Sequence, residues 1–192
     1  MREKMIEVWD LSLRLFHWLL ATAFFVAWWA EGRDIRLHII AGSVIAGLLL
    51  YRVVWGFVGE KHALFKMFRP TWSMLVGHAG DLIRLQAARY IGHTPIGSLM
   101  IYMLLLSLLV LVVSGMALLG LQMGVGLFSP WASSASFETE ILLQQIHGWC
   151  LDLLQYLIAM HLAGVVVESL LQRRNLTLSM ITGRKEKEEA IK

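Results

Sequence analysis

The sequence predicts an all-α integral membrane protein, a bundle of four transmembrane helices, and three observations predict it. Of its 192 residues, 57% are hydrophobic and only 16% charged, where soluble domains carry about a quarter charged residues. Four uncharged or nearly uncharged stretches each approach the roughly 20 residues a spanning helix needs. The basic residues gather on one side of those stretches, as the positive-inside rule requires. A soluble enzyme, a disordered chain and a nucleic-acid-binding domain are excluded as first readings. The net charge of +3 reflects topology.

The first span covers residues 13–31 and opens with the uncharged run from Leu15 to Ala30. A cleaved signal peptide needs small residues at its cleavage site. Bulky Trp28 and Trp29 crowd that position, so the segment reads as a retained span. The second span, 37–58, is broken only by Arg52, which sits close enough to its end to snorkel to the headgroups. The third, 96–121, lies in a run from Tyr90 to Phe137 that contains no Asp, Glu, Lys or Arg. Pro95 suits a first helical turn, while Gly120, Gly124, Gly126 and Pro130 read as loop. The fourth, 142–171, is interrupted by Asp152 and Glu168. Between the second and third spans, Trp72, Leu75, Val76, Ala79, Leu82 and Ile83 recur at helical spacing. They predict an amphipathic helix on the cytoplasmic surface. Residues 1–181 thus form one four-span domain, and 182–192 a charged cytoplasmic tail.

With both termini inside, 15 of the 17 Lys and Arg residues are cytoplasmic. Only Arg33 and Arg36 lie outside. Trp9, Trp28, Trp29, Trp55, Trp131 and Trp149 sit near span ends as an interfacial belt. The single cysteine, Cys150, excludes a disulfide framework, a CxxC metal pair and covalent c-type haem attachment. It reads as a small packing residue.

The histidines carry the functional signal. His17, His38, His147 and His161 fall within the predicted spans, where an ionisable side chain is costly and marks a candidate site. His147 and His161 stand 14 residues apart on one predicted helix. At about 100° and 1.5 Å per residue they share a face, offset by roughly 40°, and lie roughly 21 Å apart along the axis. Two ligands so placed suit two stacked haems. Topology supplies partners at matching depth: His17 with His161 near the inner side, His38 with His147 near the outer side. Haem iron takes neutral imidazole on its axial positions, and two imidazoles close its coordination sphere. A closed iron favours electron transfer over oxygen binding. Zinc or copper is a weaker rival, because no thiolate or carboxylate set surrounds these positions. Gly42, Gly148 and Gly164 lie beside the histidines. A small residue there lets a flat macrocycle approach, or another helix, and taken alone these glycines read as packing residues. His62, His78 and His93 read as loop or interfacial residues.

These residues also carry a resemblance. Val8-Trp9-Asp10-Leu11-Ser12-Leu13-Arg14-Leu15-Phe16-His17-Trp18 resembles the opening of the bacterial di-haem b-type cytochromes. That family includes cytochrome b(561) and the cytochrome b subunit of nickel–iron hydrogenases. Gly92-His93-Thr94-Pro95-Ile96-Gly97 resembles the family's Gly-His-Asn-Pro motif before the third span, with Thr94 in place of the usual Asn. The resemblance runs from about Ile6 to Arg184. It implies a four-helix bundle in the bacterial inner membrane holding two haem b groups. His17 and His161 would ligate the inner haem iron, and His38 and His147 the outer. His93 matches a motif but is not an expected ligand. The implied activity is respiratory electron transfer between the quinone pool and a partner redox protein, either a periplasmic c-type cytochrome or a hydrogenase-like enzyme. The chain is short for a hydrogenase subunit, and its opening is more similar to the stand-alone members, which often serve a c-type cytochrome.

Around that frame stand secondary candidates. Arg14, and Arg36 or Arg33, are candidates for the haem propionates. Asp152 lies roughly 140° around its helix from His147 and 180° from His161, so it faces away from the proposed haems. It is read as a proton relay at a quinone site, or as a partner of Arg36, Ser107 or Ser114. Glu168 reads as interfacial. Gly115 and Gly120 suit packing against a haem, another span or a second copy in a homodimer. Two other functions compete: a self-contained quinone-linked oxidoreductase acting on a small oxidant such as superoxide, and a haem-free membrane subunit. No discontinuous-helix signature of a transporter supports the latter.

Overall fold

The computed structural model describes residues 5–86, 90 and 92–186. It is a helical membrane bundle. Four helices are long and apolar enough to cross a bilayer: α1 (Leu11–Ala30), α2 (Ile35–Val58), α4 (Pro95–Met123) and α5 (Phe137–Gln172). The described residues also form two shorter helices, α3 (Trp72–Ile83) and α6 (Leu176–Thr182), two 3-10 turns at Phe65–Phe68 and Ser129–Trp131, and two strands, β1 (Met5–Glu7) and β2 (Arg184–Glu186). The long helices present largely apolar surfaces, as lipid requires. Their outward side chains include Ile40, Leu50, Phe57 and Leu170, all exposed.

Local chemistry sets the boundaries. The Asp10 carboxylate accepts from Leu13 N at 2.8 Å and opens α1. Asp34 accepts from Arg36 N and Leu37 N at 3.0 and 3.1 Å and opens α2. Between them Gly32 takes φ +68°, which a side chain disfavours. Thr71 caps α3 through Met74 N. Thr94 caps α4 through Gly97 N, with Pro95 at the first helical position. Ser136 accepts from Thr139 N and starts α5 five residues before the expected span, with Glu138 and Glu140 in the favoured first turn.

Gly120 differs from expectation. It lies inside α4, which ends only at Gly124 with φ +66°. A Cβ at Gly120 would come within 2.6 Å of the Phe128 carbonyl carbon, so the glycine admits the returning chain rather than ending the helix.

The chain divides into two compact units, and α1, α2, α4 and α5 each contribute to both. The first unit holds the described residues of 1–19, 50–101 and 160–192. Here β1 and β2 pair antiparallel, with Met5 opposite Glu186 and Glu7 opposite Arg184. Gly183 O accepts from Val8 N and Trp9 N at 2.8 and 3.0 Å. The stretch expected as a charged tail from 182 therefore begins with an ordered strand at 184–186, and 187–192 lie outside the described residues. Arg52 does not snorkel outward. It is buried, donates to Ala63 O at 3.1 Å and lies 4.6 Å over the Phe65 ring.

The second unit holds 20–49 and 102–159. Its core is Ala23, Phe24, Ala27, Ala41, Ile45, Leu49, Leu108, Leu111 and Leu154.

Candidate functional site

Within the second unit, α2 and α5 bring His38 and His147 together. Their ring centroids stand 6.2 Å apart, with planes inclined at 68°. Each ring is anchored through Nδ1. His38 Nδ1 donates to Ala27 O at 2.9 Å. His147 Nδ1 donates to Leu111 O at 3.0 Å, with the Ser114 hydroxyl 3.1 Å away. A carbonyl can only accept, so each Nδ1 carries the proton and each Nε2 keeps its lone pair. That is the arrangement by which an outer hydrogen bond orients a metal-ligating imidazole.

Gly115 allows it. A Cβ there would lie 2.9 Å from His147 Cε1, so any side chain on this face of α4 would displace the ring. Both histidines line a cavity of about 100 Å³, together with Phe24, Ala27, Gly42 and Leu111. A Cβ at Gly42, Gly148 or Gly164 would meet nothing within 4 Å. Of these, Gly42 lines the cavity, where the open space leaves room for a flat group.

The residues fit a bis-imidazole iron. Imidazole nitrogens bind metals at about 2 Å, so two rings on opposite faces of one ion hold their centres roughly 6 Å apart. The anchored Nδ1 atoms, the free Nε2 atoms and the adjoining space all agree with haem.

His17 and His161 fall in the first unit, near enough for their charges to interact. His17 Nδ1 is buried without a hydrogen-bond partner among the described residues, and its ring stands edge-on to Trp18 at 5.1 Å. Arg14 is turned to the end of α6, where Nη1 donates to Ile181 O at 2.6 Å, while its Nε finds no acceptor among the described residues. Arg36 is exposed, and among the described residues only its backbone N–H is engaged, by Asp34. Arg33 donates to Trp29 O at 2.7 Å and lies over the Trp29 ring. Asp152 is exposed. None of the partners anticipated for it is in place: the Ser114 hydroxyl donates to Leu111 O and lies beside His147 instead.

Sequence reasoning missed two buried groups in the first unit. His78 is not a loop residue. It is 2% exposed on α3, with neither ring nitrogen hydrogen-bonded among the described residues and Glu168 3.9 Å from Nε2. Glu168 accepts from Thr94 Oγ1 at 2.8 Å and from Gln172 Nε2 at 3.1 Å. His93 lies between the rings of Trp9 and Phe68, at 4.5 and 4.7 Å. Burial, then the nearby Lys185, Arg52 and His62 charges, push its pKa down to about 3. The amphipathic pattern of α3 had placed His78 between apolar positions, the one signal of its burial.

Residues 8–183 match the family described as prokaryotic cytochrome b561. The chain is similar to a probable Ni/Fe-hydrogenase B-type cytochrome subunit of Rhizobium leguminosarum bv. viciae, 27% identical over 94% of this chain and 91% of the relative. Proteins with the same description from Azotobacter vinelandii and Azotobacter chroococcum mcd 1 are 28% and 27% identical, each over 95% of this chain and 89% of the relative. No solved structure matches.

Proposed function

The chain belongs to the prokaryotic cytochrome b561 family, and on that premise we propose that it conducts electrons across the bacterial inner membrane through two bis-histidine haem b groups. The carrying observation is the His38–His147 pair, 6.2 Å apart with both Nδ1 atoms tied to backbone carbonyls. His38 and His147 would hold one haem and His17 and His161 the other, so α5 would contribute one ligand to each. When bound, haem b supplies reversible one-electron oxidation and reduction of its iron.

The chain's own residues do the rest. Ala27 O and Leu111 O hold the two imidazoles in the tautomer that presents Nε2. Iron held by two histidine nitrogens would exchange electrons rather than bind oxygen. Gly115 and Gly42 keep side chains out of the space beside the rings. Arg36, with a side chain that engages nothing among the described residues, is assigned to the propionates of the outer haem. Arg14 is assigned to the inner one through its unpaired Nε.

One end of the conduit meets the quinone pool. At the other, a hydrogenase-type enzyme is favoured over a c-type cytochrome, because the relatives named above are described as hydrogenase subunits and match nearly end to end. The positive-inside count supports a cytoplasmic location for both termini.

The test is a reduced-minus-oxidised visible spectrum of the detergent-purified chain, with haem quantified per chain. Two low-spin b haems are expected. A colourless protein, or spectra unchanged by His→Ala at all four positions, overturns the reading.

A further inference from the structure

Asp152 is a carboxylate near the middle of a membrane-spanning helix, exposed and unbonded among the described residues. An acidic side chain at this depth costs about 2.5–3.5 kcal/mol when it faces lipid. Snorkelling does not relieve it, because an aspartate stem is too short to reach either headgroup layer. The proposed haems do not cover it either. Asp152 lies roughly 140° around α5 from His147, which faces Gly115 on α4.

The residues on the same face are unlike a lipid-facing stripe. Gln145, Trp149 and Tyr156 fall within about 60° of Asp152 around the helix. Gln145 is exposed, and Trp149 and Tyr156 are among the most exposed aromatic residues of the second unit. Gly148 lies beside them, and a Cβ there would meet nothing within 4 Å. A carboxylate, an amide, two aromatic rings with polar tips and a small residue are the composition by which membrane helices recognise one another.

We infer that this face of α5 docks a membrane-spanning helix of another polypeptide, one that presents a basic or amide side chain to Asp152. Charge selects the occupant. A second copy related by a two-fold axis through this face would set Asp152 against Asp152, whereas a Lys, Arg, Asn or Gln supplies the donors the carboxylate lacks. The aromatic rings flank that contact and the glycine lets the partner backbone approach. The inference does not depend on haem ligation, so it stands or falls separately from the function proposed above.

The test places a photo-crosslinking amino acid at Tyr156 in the full chain, in native membranes, with Ile40 on α2 as a control position. The expected adduct at Tyr156 contains a membrane-spanning peptide of a different protein with a basic or amide residue within the span. Asp152→Leu, a change that lipid tolerates, lowers the adduct yield about fivefold or more, the scale of a cross-helix polar contact. Asp152→Glu retains it. An adduct to this same chain, adducts to lipid alone, or an equal yield in Asp152→Leu with its haem spectrum intact overturns the inference.

Discussion

His38 and His147 face each other with ring centroids 6.2 Å apart, and each is held from behind by a carbonyl of a helix other than its own. Ala27 on α1 orients the His38 imidazole on α2, and Leu111 on α4 orients the His147 imidazole on α5. All four spans therefore take part in presenting two nitrogen atoms.

The pairing makes variants at the four histidines fall into two classes. His38→Ala and His147→Ala each lower haem to about half the wild-type content, with the same spectral set lost. His17→Ala and His161→Ala lose the other set. Haem per chain and the α-band position check this. A variant from one pair that removes the other pair's signal would break the assignment.

Gly115 is predicted to be the most sensitive residue that does not touch iron. Its replacement by Ala sets a methyl 2.9 Å from His147 Cε1. Overpacking of this kind costs about 1–3 kcal/mol, and here the ring that must move is a ligand. Gly115→Ala is expected to weaken only the haem of the His38–His147 pair. Titration of that haem's potential, or its loss on mild denaturation, measures the effect. Gly42→Ala adds a methyl in open space, so it should leave helix packing intact while lowering occupancy of the same haem.

The sequence showed the four spans and the helix between the second and third. Lipid imposes length and hydropathy so strongly that both survive in a single sequence. The carbonyl anchors were illegible, because Ala27 and Leu111 contribute backbone atoms that any residue possesses. Gly120 was misread as loop, since a glycine that admits a crossing chain looks identical to one that ends a helix. Arg52 and His78 were misread for a related reason. Each sits beside an apolar span or stripe, and only the fold of the intervening loop turns them inward.

The cluster around Glu168 gives an asymmetric prediction. Glu168→Leu leaves the Thr94 hydroxyl and the Gln172 amide without their acceptor. A buried donor left without an acceptor costs about 1–3 kcal/mol. His78→Leu removes an imidazole whose nitrogens make no hydrogen bond among the described residues, so it should cost far less, or stabilise. Thermal unfolding of the two variants in the same detergent decides it. Equal losses would show that the 3.9 Å approach of His78 to Glu168 matters as much as the hydrogen bonds.

His93 ties stability to pH. Folded, its pKa is pushed to about 3 from an ordinary value of 6.5, by burial first and by Lys185, Arg52 and His62 after it. Between those values the unfolded chain carries a proton on His93 that the folded chain does not. The unfolded state thus binds more protons, and stability rises with pH across that window. It is lost progressively as pH falls below 6.5 and is fully present above it. His62, whose pKa is also lowered by burial and then by Lys61 and Lys185, adds in the same direction. His93→Phe keeps an aromatic ring between Trp9 and Phe68 and removes the titration. The wild-type melting temperature should therefore fall more steeply between pH 7.5 and pH 5 than that of His93→Phe. Parallel slopes for the two proteins would mean that the imidazole reaches water and takes up its proton without unfolding.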